Sequence, residues 1–438
     1  MLRPFMEIEN WDSVGMPVEE SAKRLQRFAY LDRQLMRLEA GHMAARPEYE
    51  IKGALAWQDA EHHDQLRGRA RQLRMSPAAF DKCPDEALAA LAEQALRSPS
   101  TLCLLVALFE AIKPAQLAAI DAYAARAQPL VDEPTLRLLR HQRLDREAQL
   151  AWGREAIAHA AAQADTAGRE LADRWLRWLR ALLDAAGGPD GTGARVPADP
   201  ALAVPAAPFA LPAKSTRDAR FATSVVKMRG MAFADDAQGR MLQMMLHRYF
   251  EMSPAEAVAH VHFSAEDRPW SFYLDTARHM WDEVRHCWFG EAALRARGYD
   301  VYAFENWTGW YDMTAQLFEG DEAYTHLTIA IEKAGMKYPP GKREEWEFCR
   351  DAAKDPLMTT FQDFDWADEV VHAGFGQKWI VDAVHDGDAR KAQAAADETV
   401  AKRAAYMARF RDGGDGDGGG GTGSPGGDGG AAGGLGGY

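Results

Sequence analysis

The sequence predicts an all-α protein, and three observations carry that prediction. Helical periodicity rich in Ala, Leu, Arg and Glu runs through residues 18–185 and again through residues 216–411. Strand-like alternation of Val, Ile and Thr is nearly absent. One short pattern, D-E-x-x-H, occurs twice in helical surroundings: Asp282-Glu283-Val284-Arg285-His286 and Asp368-Glu369-Val370-Val371-His372. Residues three apart share a helix face, so each copy aims a carboxylate and an imidazole at one point.

The first helical region, 18–185, ends where the composition turns abruptly to Gly, Pro and Ala. Residues 186–215 cannot hold a regular helix and read as a linker. The second region, 216–411, offers four core helices, at about 237–263, 270–297, 322–335 and 359–384. Gly335 and the pair Pro339-Pro340 form a stop for the third of them. Residues 412–438 are mostly Gly with interspersed Asp, bury nothing, and are expected to be disordered.

The two regions share spacing. Arg46-Pro47, Tyr49 and Trp57-Gln58-Asp59-Ala60-Glu61-His62 parallel Arg268-Pro269, Tyr273 and Trp281-Asp282-Glu283-Val284-Arg285-His286. Phe109-Glu110 parallels Ile331-Glu332. Asp145-Arg146 with Gln149 and Gly153 parallels Asp368-Glu369 with His372 and Gly376. A tandem duplication with a degenerate first copy, in which Gln149 stands where the second copy has His372, is expected.

At 438 residues the chain is long enough for two or three cored domains. A hydrophobic share of 47% and a charged share of 26% are those of a globular protein. The formal net charge of −14 argues against a broad phosphate-binding surface, so no nucleic-acid partner is expected. The four cysteines (Cys83, Cys103, Cys287, Cys349) are scattered and read as reduced thiols. The N-terminus lacks a secretory pattern, and no apolar run approaches the roughly 20 residues of a membrane span; a cytoplasmic location with no membrane partner is the expectation. No G-x-G-x-x-G, Walker or nucleophile-elbow motif is present, which leaves NAD, ATP and serine-hydrolase chemistry without support.

The repeated motif is the informative feature. Helices carrying Glu283/His286 and Glu369/His372, joined by one Glu from each of two further helices, make the donor set of a di-iron or di-manganese carboxylate bundle. The third helix offers Glu332, a lone acid after the apolar run 327–331, costly to bury unless paired or metal-bound. The first helix offers Glu251 and Glu256. With a turn near residues 264–269, Glu251 and Glu283 each lie about thirteen residues from it and so at one level. Glu256 falls about a turn too near the loop and belongs to a capping box, Ser253-Pro254-Ala255-Glu256, where the helix is expected to kink or restart. Carboxylates shift between terminal and bridging modes, and imidazole suits iron. Asp282 and Asp368 are candidates to hold the second ring nitrogen of each His. His279, one turn before Glu283, is a further candidate donor or a hydrogen-bonded core His, and His247 stands likewise before Glu251.

Residues 246–251, 274–286 and 368–372, with Gly376 and Trp379 after them, resemble the ferritin-like superfamily of di-iron carboxylate proteins. Residues 238–384 look closest to a bacterial ferritin-like family known mainly as a domain of unknown function. The resemblance implies an up-down four-helix bundle with metal ligands Glu251, Glu283, His286, Glu332, Glu369 and His372. It also implies a role for Asp368 in holding a ligand His. It departs from the family at Ser253-Pro254. The expected function is that of an oxidoreductase whose two Fe ions (or Mn) activate dioxygen to oxidise or hydroxylate a small organic substrate. An external electron donor is expected, since no flavin or iron–sulfur motif is present. The alternatives are an iron-handling, ferroxidase-type protein and a metal-free helical scaffold. Eight of the chain's thirteen Trp fall between Trp270 and Trp379. They read equally as core packing and as an apolar pocket beside the metals.

Overall fold

In the computed structural model, which describes residues 8–46, 52–228, 230–336 and 341–410, almost all regular structure is helical. The exceptions are two parallel strands of two residues, β1 (Thr223–Ser224) and β2 (Asn306–Trp307). The all-α expectation holds. Residues 412–438, Pro47, Tyr49, Pro339 and Pro340, used in the sequence arguments, lie outside the described residues. The chain divides into two compact units, Met1–Leu211 and Pro212–Tyr438.

The first unit holds α1 (Val18–Gly41), α2 (Lys52–Gln72), α3 (Pro77–Phe80), α4 (Glu86–Leu96), α5 (Thr101–Val106), α6 (Lys113–Arg126), α7 (Glu133–Gln163) and α8 (Thr166–Ala185). A π-helical segment, Ala107–Ile112, joins α5 to α6 without a break. Starts are set by side-chain caps: the Ala87 and Leu88 N–H groups donate to Asp85, and the Gly168 N–H to Asp165. Leu25, Phe28 and Ala29 of α1 pack with Leu66 and Ala70 of α2, Ile120 and Tyr123 of α6 and Leu139 of α7. The Gly/Pro/Ala segment does not hang free. Arg27 donates to the carbonyls of Ala186 (2.7 Å), Gly188 (3.0 Å) and Pro189 (3.1 Å).

The run Thr101–Arg126 is long and apolar enough to cross a membrane, against the sequence reading, which saw no such stretch. In the structure 72% of its most apolar window is buried, as befits a core helix.

His63 on α2 makes one testable point. It is buried, and its Nδ1 is 2.7 Å from the Ala29 carbonyl oxygen. Burial, helped by Arg33 and Arg67, pushes the ring down to about 4 against that hydrogen bond. The unfolded chain therefore takes up a proton near the ordinary histidine value while the folded chain does not. Stability is complete above about pH 6.5 and is lost as pH falls towards 4. Moving from pH 7 to pH 5 should cost about 2 kcal/mol through this residue. Urea unfolding at the two pH values should show His63→Asn losing less stability than wild type by about that amount.

The second unit holds α9 (Ala237–Tyr249), α10 (Met252–Ser264), α11 (Trp270–Ala296), α12 (Gly309–Leu317), α13 (Glu322–Thr325), α14 (Lys333–Gly335), α15 (Lys342–Glu347), α16 (Pro356–Gly376) and α17 (Ala389–Ala408). π-helical segments His326–Glu332, Phe348–Ala352 and Gln377–Asp382 continue α13 into α14, α15 beyond its end and α16 beyond its end. Residues 216–236, expected to be helical, show no helix among the described residues. They form turns, bends and the two residues of β1, with side chains such as Arg217 engaging the rest of the unit.

The expected first core helix is two helices, broken at Phe250-Glu251. Pro254 explains the break: in an unbroken helix its ring would clash with the carbonyl of residue 250, four positions back. The predicted capping box does not form. Ser253 Oγ instead accepts from the N–H groups of Trp310 and Tyr311 (3.1 Å each). Two glycines bring the helices close. A Cβ on Gly290 would lie 2.2 Å from the Tyr249 nitrogen, and one on Gly376 would lie 2.8 Å from Thr328 Cβ. The backbones of α9 and α11, and of α16 and the π segment, therefore approach more closely than side chains allow.

The helix α16 is inside out. It buries Gln362, Asp365, Asp368, Glu369 and His372, while Phe364 is 58% exposed and Val370 56% exposed. The hydrophobic effect alone would turn the opposite face inward. A polar stripe can face the interior only if the interior is itself a polar centre that satisfies it.

Candidate metal centre

Burying several carboxylates together is tolerable only with compensating positive charge. The second unit does so around two adjoining points. At the first, His279 and Glu283 of α11, Glu332 at the end of the π segment and His372 of α16 bring one donor atom each to within 4.8 Å of one another, and all four are buried. At the second, Glu251, Glu283 and His286 come together, and so do His286, Asp365 and Glu369, within the same limit. Glu283 belongs to both points. The six residues expected from the sequence thus lie in one centre. His279 and Asp365 lie there with them. Asp365 stands one turn before Glu369 on the same face, a spacing that could have been used and was not.

Each histidine turns one nitrogen inward and has the other held from outside. His286 Nδ1 faces Asp365 Oδ1 (3.5 Å) and Glu251 Oε2 (3.7 Å), while its Nε2 meets Asp368 Oδ2 at 3.3 Å. His372 Nδ1 faces Glu283 Oε1 (3.6 Å) and Glu332 Oε1 (3.8 Å), while its Nε2 meets Asp282 Oδ2 at 3.3 Å. His279 Nε2 lies 2.8 Å from Glu332 Oε1, and its Nδ1 lies 3.1 Å from the Tyr324 hydroxyl. Asp282 and Asp368 thus hold the histidine of the opposite helix, not of their own. Arg278 and Arg285 in turn pair with both aspartates. This inward-outward arrangement is the one metal-ligating histidines adopt.

Six buried atoms that point inward have no hydrogen-bond partner: Glu251 Oε2, His286 Nδ1, Glu332 Oε2, Asp365 Oδ1, Glu369 Oε2 and His372 Nδ1. Orphaned buried atoms are rare, and six converging from the α9–α10 junction, α11, the π segment and α16 require an explanation. Among the described residues, three of the five carboxylates pair with a Lys or Arg: Arg248 with Glu251 and, at 3.5 Å, Asp365, and Lys342 at 2.9 Å from both Asp365 and Glu369. The remaining negative charge marks the neighbouring imidazoles. Burial opposes protonation of His286, but Asp365, Asp368, Glu283 and Glu251 outweigh it and push the ring up to about 9. Burial, with Glu283 and Asp365, pushes the Glu251 carboxyl up to about 7 against the pull of Arg248. A donor set of carboxylates and imidazoles with excess negative charge fits a pair of divalent first-row ions.

Glu256, the alternative first-helix ligand, is buried outside the centre, where Arg217 Nη2 donates to its Oε2 (2.9 Å) and Ser215 Oγ to its Oε1 (2.7 Å). His247 is also outside: its Nε2 lies 3.1 Å from Gln243 Nε2, and burial pushes its ring down to about 3. Aromatic rings close over the histidines. Phe375 stacks on His372, Phe289 lies against His286 and stacks on Phe361, and Tyr324 tilts over His279. A cavity of about 220 Å³ opens at the other end of α11, lined by residues that include His260, Glu266, Arg268, Phe272 and Asp321, and it contains none of the centre's donors.

The first unit contains a second buried polar centre with the same internal pairs. His62 Nε2 meets Asp145 Oδ2 at 2.9 Å, as His286 meets Asp368. Gln149 Nε2 donates to Gln58 Oε1 at 2.7 Å, in the place of the His372–Asp282 pair. Asp32, Asp59 and His62 lie within 4.8 Å of one another, with side-chain cations against both aspartates. Arg146 binds Asp32 and Asp59, and Lys113 lies 2.9 Å from Asp59 and 3.1 Å from Glu39. Glu110, paired with Glu332 in the sequence, is exposed, whereas Glu332 and Lys113 are buried. Gly153 packs on Phe109 as Gly376 packs on Thr328, and four residues on from these come Lys113 and Glu332.

Searches of protein families, of curated proteins and of solved structures found no match to this chain.

Proposed function

We propose that the second unit is a ferritin-like di-metal oxidoreductase, in which two iron ions (or manganese) are held by Glu251, Glu283, His286, Glu332, Glu369 and His372, with His279 and Asp365 added. The observation that carries this reading is the convergence of six orphaned donor atoms with all three histidines held from behind. When bound, a pair of ferrous ions supplies the electrons that reduce dioxygen. The chain's own residues do the rest. Glu283 belongs to both donor groups and would be shared by the two ions. Asp282, Asp368 and Tyr324 keep the imidazoles oriented. Phe289, Phe361 and Phe375 keep water from the histidine edges. A small organic substrate and an external electron donor complete the reaction. In the same reading the first unit is a duplicate bundle whose ions have been replaced by Arg146 and Lys113, as its conserved cross-helix pairs suggest.

A second reading, oxidation of Fe(II) without an organic substrate, is favoured by one feature. The least buried donor, Glu251, lies beside Arg248 and the acid Glu345, a polar edge rather than an apolar mouth. Mixing the oxygen-free, Fe(II)-loaded chain with oxygenated buffer, with and without a reductant, tests both. The oxidoreductase reading expects oxygen uptake that the reductant sustains through repeated turnovers. A single stoichiometric burst, unmoved by reductant, supports the second reading, and bound Fe(II) that consumes no oxygen contradicts both. Asp368→Ala, which removes the partner of His286, should weaken metal binding about 10- to 100-fold in equilibrium dialysis without removing a donor.

A further inference from the structure

The two ion positions have different electrostatic surroundings. Around His279, Glu283, Glu332 and His372, no Lys or Arg side chain pairs with any of the four among the described residues. Two carboxylates and two imidazoles there are charge-matched to one divalent ion. The neighbouring position is different. Lys342 is 1% exposed, and its Nζ lies 2.9 Å from Asp365 Oδ2 and 2.9 Å from Glu369 Oε1, the second oxygens of two carboxylates whose Oδ1 and Oε2 are without a hydrogen bond. Gln362 Nε2 donates to the same Asp365 oxygen at 2.7 Å, and Arg248 lies against Glu251 and Asp365. The lysine comes from the first residue of α15, a helix that packs on α16 but supplies no donor of its own to the centre.

We infer that Lys342 is a built-in counter-charge that weakens the second ion position. The chain takes its first divalent cation at His279, Glu283, Glu332 and His372. It takes a second against the Lys342 ammonium, which holds Asp365 Oδ2 and Glu369 Oε1 while Asp365 Oδ1 and Glu369 Oε2 face the position. An ammonium paired with two of the donors cancels part of their charge and repels an arriving divalent ion. In the first unit Lys113 and Arg146 likewise pair with buried carboxylates. The inference rests on the metal-centre reading, and it adds that occupancy is ordered and that one lysine sets the order.

The test is a Mn(II) titration of the metal-free, full-length chain, followed by the electron paramagnetic resonance of free Mn(II) and by metal content after dialysis. Wild type should bind one ion tightly and a second at least about 10-fold more weakly. Lys342→Met should strengthen the second step at least about 10-fold and leave the first unchanged. Because Lys342→Met takes the nearest cation from two buried acids in the metal-free chain, Lys342→Arg serves as a charge-retaining companion and should keep the second step weak. Two equal tight ions in wild type, or in Lys342→Arg, would overturn the inference while leaving the metal centre standing. So would a second step that Lys342→Met does not strengthen. No ion bound by any of the three folded proteins would overturn the metal-centre reading itself, and the inference with it.

Discussion

Replacing Glu283 by Ala is expected to remove both ions at once. Glu283 is the one side chain that belongs to both donor clusters, and it is buried where no water-exposed acid can substitute for it. The loss should exceed what removal of an outer partner costs, so affinity should fall by more than about 100-fold at each position. Metal content after dialysis is the measurement. Glu256→Ala provides the contrast. That acid sits with Arg217 and Ser215, so its loss should cost stability and leave metal content unchanged. If Glu283→Ala keeps a full complement of metal, the shared-carboxylate geometry is wrong.

The second large effect is expected in the first unit and involves no metal. Arg146 is 1% exposed and holds Asp32 and Asp59, both buried. Arg146→Met would leave two buried carboxylates with too little positive charge, since Lys113 is already engaged with Asp59 and Glu39. Breaking a buried ion network by removing one side costs about 3–5 kcal/mol. In a unit of this size that corresponds to about 10 °C in Tm. Calorimetry of wild type and variant would show it. A change below about 1 kcal/mol would mean that Asp32 and Asp59 share a proton instead of an arginine. Chelators should reproduce the contrast between the units by lowering the stability of the second unit and leaving the first unchanged.

Much of the second unit's centre is legible in the sequence because helix periodicity is local. Glu283 with His286, and Glu369 with His372, share faces for a reason that needs no tertiary contact. Glu251 rather than Glu256 follows from counting residues back from the turn. The same local rule also places Asp365 one turn before Glu369 and His279 one turn before Glu283. The sequence alone leaves His279 between a donor and a hydrogen-bonded core His, and it does not single out Asp365. The inverted burial of α16 does single out Asp365, but a helix that turns Phe364 and Val370 outward cannot be read from a pattern that assumes apolar residues face in. Long-range partners were beyond reach. Tyr324 meets His279 across 45 residues, and Lys342 enters from a separate short helix. In the first unit the departures at Arg146 and Gln149 were visible as missing ligands. That the arginine itself supplies the missing charge required seeing Asp32 and Asp59 around it. Composition reads residues 216–236 as helical, yet Arg217 and β1 tie this segment to residues far along the chain.

The most direct test of the central claim is anomalous diffraction from crystals of the chain loaded with Fe(II), measured on both sides of the iron edge. The account predicts two iron peaks about 3.5–4 Å apart, with Glu283 between them, the stronger at His279, Glu332 and His372 and the weaker beside Asp365. No anomalous peak at these residues, with the six inward atoms satisfied by ordered water, would contradict it and leave a helical scaffold with a hydrated polar core.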